Sequence, residues 1–154
     1  MKRIIGILFL FLFGLGLTGQ QIQSPSEFLG YPLGSQFTYH HRVVDYYNYI
    51  ADVSPLVQIE TYGETYEGRP LLIAIVSAEE NLKQLEALKK ANLIETGFLE
   101  GESELAQKPF VWLGYNIHGN ESVGTEAALR TLHVLATKEA ENVESWLNDM
   151  VILI

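Results

Sequence analysis

His118 and Glu121 lie three residues apart in the segment Tyr115-Asn116-Ile117-His118-Gly119-Asn120-Glu121. An imidazole nitrogen and a carboxylate oxygen are both zinc donors. The segment ends an apolar run, Pro109 to Gly114, and precedes a helical pattern starting near Ser122. The pair thus falls where a central strand breaks into a helix, the place where open α/β sheets hold ligands. Gly119 allows a sharp turn between the donors without a Cβ clash. Amides at the start of the Ser122 helix add positive character that suits carboxylates and oxyanions. A zinc ion there would polarise a carbonyl and lower the pKa of water to about 7. Two donors are not enough, because a hydrolytic zinc takes three protein ligands and a water. No third ligand is evident before Ile154. A His-x-x-Glu pair by itself recurs by chance. A histidine at a strand end is more commonly structural; the strand, the glycine and the helix around this one strengthen the case for ligation.

The other polar side chains have plainer readings. His40 and His41 are neighbours on a helix, so they cannot both face one ion. His133 shares a polar stripe with Arg130 and Thr137, opposite Leu132 and Leu135, and is expected in solvent. Glu126 reads as an acidic partner of its helix dipole. Arg69 reads as a hydrogen bonder within a hairpin, although a guanidinium suits a carboxylate clamp. Tyr46, Tyr47 and Tyr49 read as packing residues. The chain has no cysteine, no Gly-x-Ser-x-Gly turn and no phosphate-cradling glycine loop, which argues against nucleophilic and phosphoryl chemistry.

Several elements must position the pair. Phe37 to Ala51 repeats apolar residues at helical spacing (Phe37, His41, Val44, Tyr47, Ile50). Val57 to Tyr62 alternates like a strand. Leu71 to Val76, opened by Pro70, is continuously apolar and fits a strand buried on both faces. The turn-rich stretch Gly63 to Arg69 makes these two a hairpin. Glu79 to Asn92 reads as one surface helix with Leu82, Leu85 and Leu88 inward and Glu79/Lys83 and Glu86/Lys90 paired. Leu93 to Lys108 reads as a loop, and Phe110 to Asn116 as a third strand, apolar on both faces. Ser122 to Lys138 is a helix with Ala128, Leu132 and Leu135 on one side, and Ala140 to Leu147 a short one. Asp149 to Ile154 starts a fourth strand. An exposed apolar edge invites aggregation, so a chain ending on Val-Ile-Leu-Ile is expected to be truncated within a strand. The expected fold class is α/β, the N-terminal part of a mixed β-sheet flanked by helices. A complete small domain with a central last strand is the alternative.

Residues 1–20 read as a signal peptide. Lys2 and Arg3 precede 14 apolar residues, Ile4 to Leu17, short of the roughly 20 a membrane span needs. Small residues follow for cleavage near Gly19 or Gln20. An uncleaved anchor is the rival reading, while a lipoprotein would need a cysteine. Residues 21–36 form a lead-in segment and 37–154 the domain portion. The expected destination is export to a periplasm or the exterior, with no stable membrane anchor after cleavage. The net charge is −9; without Lys2 and Arg3, 8 basic groups face 19 acidic ones, a balance of −11. Such a surface argues against nucleic acid and anionic membrane as partners.

Asn116-Ile117-His118-Gly119-Asn120-Glu121-Ser122-Val123-Gly124-Thr125-Glu126 resembles the first zinc-binding motif of the zinc metallocarboxypeptidases, the family of pancreatic carboxypeptidases A and B. Tyr62-Gly63-Glu64-Thr65-Tyr66-Glu67-Gly68-Arg69-Pro70-Leu71 resembles that family's preceding hairpin. The two segments occur in the family's order, and the resemblance runs from about Phe37 onward. It implies one catalytic Zn2+, removal of C-terminal residues from peptides or proteins, and His118 and Glu121 as the first two metal ligands. The Asn120 position is arginine in the pancreatic branch, where it polarises the scissile carbonyl. Asn120 is therefore expected at most to donate a hydrogen bond to substrate. The family's third ligand (a His), its general-base Glu and the groups that hold the substrate's terminal carboxylate are implied further along, so no catalytic residue is assigned within this chain. The 154 residues alone are expected to be inactive. Two alternatives are a non-catalytic secreted module on the same fold and a zinc-dependent deacylase of N-acyl amino acids.

Overall fold

The computed structural model describes residues 21–105 and 107–154. The expected signal peptide, 1–20, lies outside the described residues. Ten elements follow in order: α1 (Pro25–Leu29), α2 (His40–Val53), β1 (Val57–Glu64), β2 (Pro70–Val76), α3 (Glu79–Lys83), α4 (Leu85–Glu95), β3 (Phe110–Trp112), α5 (Val123–Thr137), α6 (Val143–Asp149) and β4 (Val151–Leu153). The four strands make one mixed sheet in the order β1-β2-β4-β3. β1, β2 and β4 pair antiparallel in sequence, and β3 runs parallel to β4. This is the expected α/β class, a mixed sheet flanked by helices. Among the described residues, no helix is long and apolar enough to cross a membrane.

Strand parity builds two cores. Ala74 and Val76 of β2 and Ile152 of β4 face α2, α5 and α6, where they meet Tyr46, Tyr47, Ile50, Leu129 and Leu132. Ile75 and Val151 face the other way, onto Leu82, Leu85 and Leu88. The continuous apolar run of β2 thus has the expected cause, burial on both faces. The β1–β2 hairpin closes on Thr65, whose amide donates to Arg69 O (2.8 Å) and whose Oγ1 accepts from the Arg69 amide (3.1 Å). Gly68 takes the left-handed conformation this turn needs (φ 72°).

Four expectations need correction. Glu79 to Asn92 is two helices, α3 and α4, interrupted at Gln84. The buried Asn81 amide donates to Ser77 Oγ, Leu147 O and Asn148 O. It ties α3 to the end of α6, while Leu85 and Leu88 hold α4 on the sheet. Glu79 and Lys83 do pair, at 3.0 Å, but Glu86 pairs with Lys89 at 2.8 Å and not with Lys90. The third strand covers only Phe110–Trp112 and pairs with β4 alone. It is therefore an edge strand among the described residues, with Trp112 73% exposed. The interior position belongs to β4, whose Val151 and Ile152 are buried. Finally, α2 starts at His40, and Phe37 lies exposed ahead of it.

Candidate metal centre

The connection between β3 and α5 carries both expected donors. It leaves the sheet after the Leu113 amide donates to Leu153 O (2.8 Å). Tyr115 OH then meets Thr131 Oγ1 of α5 at 2.9 Å, and Asn116 turns the chain through the left-handed region (φ 57°). A tight turn follows, in which the Glu121 amide donates to His118 O (3.0 Å), and the Gly124 amide donates to Glu121 O (3.0 Å) as α5 begins. Both donors precede the first helical residue, Val123.

His118 Nδ1 and Glu121 Oε1 stand 3.1 Å apart, with side chains 70% and 61% exposed. Two donors each about 2.0–2.1 Å from a tetrahedral zinc lie roughly 3.3 Å apart. The observed separation is that of a direct hydrogen bond between ring nitrogen and carboxylate; it is also compatible with a shared zinc ion, and the exposure leaves open directions for further ligands. Asn120 is exposed in the same turn. Among the described residues, no group of three His, Cys, Asp or Glu side chains could hold a metal ion. Beside the pair, a cleft of about 670 Å³ is lined by Tyr47, Arg69, Trp112, Asn116, Ile117 and Thr125, among others.

The remaining sequence candidates fall elsewhere. His40 and His41 are exposed at the start of α2, and the His41 ring stacks on Tyr39. The Arg69 guanidinium pairs with Glu67 at 2.6 Å, and its backbone closes the hairpin. Tyr46 and Tyr47 are buried packing residues, as expected. His133 corrects the expectation of a solvated ring, being only 7% exposed. Its Nδ1 lies 3.1 Å from Tyr46 OH, and that hydroxyl donates to Gln23 O (3.1 Å). Burial lowers the His133 pKa below its ordinary value, against the opposing pull of Glu139. Residues 22–29 and α2 cover the face that the helical pattern assigned to water. Glu126 is likewise buried, with Oε1 accepting from the Thr38 amide at 2.9 Å. It fastens α5 to the segment before α2, which is more than a dipole partner does.

The expectation for Gly119 also changes. Its φ is not in the left-handed region, and a Cβ there would meet nothing within 4 Å. The close approach is at Gly124, where a Cβ would lie 2.8 Å from Asn116 Oδ1 and 3.2 Å from Asn116 N. The sequence gives no local sign of it, because the contact joins the two ends of a loop.

The family model described as zinc carboxypeptidase matches residues 43–154. No curated protein matches the chain.

Proposed function

The chain belongs to the zinc carboxypeptidase family, and on that premise we propose that His118 and Glu121 are two protein ligands of a zinc that serves removal of C-terminal residues from peptides or proteins. The family brings a carboxypeptidase-like hydrolase function and zinc use. The observation that carries the residue assignment is the approach of His118 Nδ1 to Glu121 Oε1 at 3.1 Å. When bound, zinc supplies Lewis-acid polarisation of the scissile carbonyl and activation of water. The residues of this chain hold and orient it. His118 offers Nδ1 and Glu121 a carboxylate; the neighbouring Asn116 and Ile117 line the cleft, whose largely apolar and tyrosine wall, with Arg69 on it, suits a peptide side chain. Asn120, in the same turn, offers an amide N–H to the substrate.

Hydrolysis also needs a third protein ligand and a general base. The 154 residues by themselves therefore bind zinc weakly and do not cleave. In this reading residues 1–20 direct export, 21–36 are a lead-in, and 37–154 carry the first two ligands of the catalytic domain. The acidic balance argues against nucleic acid as a partner.

The test is calorimetric zinc titration of the 154-residue chain together with assay of amino-acid release from peptides. Weak zinc binding is expected, lost in His118→Ala and in Glu121→Ala, with no release. Binding unchanged in both variants would remove the ligand assignment, and chelator-sensitive release would overturn the inactivity. The coding sequence beyond Ile154 then separates enzyme from module: a His and a Glu in the family's context favour the enzyme, and a stop codon the module.

A further inference from the structure

The segment bearing His118 and Glu121 is a loop closed at its base. At one end Asn116 holds a left-handed backbone (φ 57°). At the other end Gly124, in the first turn of α5, presses against it. A Cβ on Gly124 would come within 2.8 Å of Asn116 Oδ1, 3.2 Å of its N and 3.6 Å of its Cα. The first distance is one that real Cβ atoms do not show, and the second requires the Asn116 backbone to shift by a few tenths of an ångström. Metal–ligand distances hold within about 0.2 Å. A shift at the base is therefore large enough to matter at the donors. Between these ends, the Glu121 amide to His118 O and the Gly124 amide to Glu121 O bonds transmit the base geometry to the pair.

We propose that the Gly124–Asn116 contact sets the separation of His118 and Glu121, which makes Gly124 and Asn116 positioning residues for the metal pair. The zinc readout of this proposal rests on the ligand assignment above; the geometric readout does not. Two physical facts separate positioning from mere folding. Alanine has a higher helix propensity than glycine, so Gly124→Ala favours the helix it sits in while displacing the loop. Glycine adopts φ > 0 as readily as φ < 0, so Asn116→Gly keeps the turn and removes the Oδ1 atom that the new Cβ strikes.

The experiment uses isotope-labelled full chain and nuclear magnetic resonance. Without metal, the wild type is expected to show cross-relaxation between the His118 ring protons and the Glu121 γ-protons. On addition of Zn2+ the His118 ring nitrogens are expected to shift saturably. Gly124→Ala is expected to lose the cross-relaxation and to weaken zinc binding about tenfold, with Tm unchanged or raised. The double variant Asn116→Gly/Gly124→Ala removes the 2.8 Å contact with Oδ1 but keeps the 3.2 Å contact with the residue 116 amide, so it is expected to recover only part of both signals. Asn116→Ala, which disfavours the left-handed turn without touching α5, is expected to weaken both. Wild-type cross-relaxation and zinc affinity in Gly124→Ala and Asn116→Ala would overturn the proposal. Calorimetric zinc affinity that persists unchanged in His118→Ala would defeat the ligand assignment alone, and the metal-free cross-relaxation series would still decide the positioning.

Discussion

The donor pair faces solvent, and the buried histidine does not, so replacing them has opposite consequences. His118 and Glu121 make an exposed contact, a kind that contributes about 0–1 kcal/mol. His118→Ala or Glu121→Ala should therefore change unfolding free energy by less than about 0.5 kcal/mol while removing zinc binding. Urea titration beside zinc calorimetry checks this, and a loss above about 2 kcal/mol would mean that the turn is a folding element. His133 behaves the other way. Burial, opposed by Glu139 and Glu27 and helped by Arg130, holds its folded pKa below 6.5. The unfolded chain then binds the extra proton, so stability from His133 is intact above about pH 6.5 and is lost as pH falls through the window below it. The carboxylates with depressed pKa values, Glu27, Glu139 and Glu144, lose their contribution only below 4.5. Tm should accordingly fall between about pH 7 and pH 5 in the wild type, and less so in His133→Asn. Equal slopes would remove His133 from this role. The approach of His118 to Glu121 was legible in the sequence because it follows from side-chain type and local spacing. The positions of His133, Glu126 and Gly124 were not, because each depends on what another segment lays over it.

At the scale of elements, the two cores follow from strand parity, and most of them could be read from apolar pattern alone. The β1–β2 hairpin, the burial of β2 on both faces and the inward leucines of α5 all match. The misses share a cause: a tertiary contact overrides local periodicity. The leucine stripe from Leu82 to Leu88 fits one straight helix, but Asn81 is tied to Ser77 and to the last carbonyls of α6. The interruption at Gln84 lets that anchor and the leucines engage different surfaces. Asn81→Ala removes the side-chain bonds to Ser77 Oγ, Leu147 O and Asn148 O, while Leu147 O keeps the Ala78 amide and the Ser77 hydroxyl as donors, so the cost is about 0.5–1.5 kcal/mol. The midpoint of urea unfolding should fall, and α3 amides should lose hydrogen-exchange protection more than those of α4. Uniform loss across both helices would show that they act as one element. The third strand was read too long because Leu113, Gly114 and Tyr115 continue its apolar pattern while the chain turns out of the sheet, toward α5.

Across the whole molecule, a repulsive charge and an attractive edge oppose each other. The net charge of −9 keeps copies apart at low ionic strength. β3, however, pairs on one side only among the described residues, and its Trp112 and the nearby Ile117 are largely exposed. An edge strand with an exposed aromatic and no charge of its own is a template for pairing with another chain. Its short length limits the hydrogen bonds it can offer, so association should be weak and should depend on screening. At 0.01 M salt the Debye length is about 30 Å, and at 1 M about 3 Å. The low-salt chain should sediment as a monomer, and added salt should draw it into larger species. Trp112→Lys places a charge on the edge and removes the aromatic surface, so it should keep the protein monomeric in high salt. Because the side chain is exposed, the substitution should leave the unfolding midpoint close to that of the wild type. Sedimentation velocity at both salt concentrations gives the answer. A wild type that stays monomeric at high salt would show that the short edge is already too weak a template. Association that survives Trp112→Lys would place the contact elsewhere, for which the exposed apolar side chains of Phe98 and Tyr66 are the next surfaces to substitute.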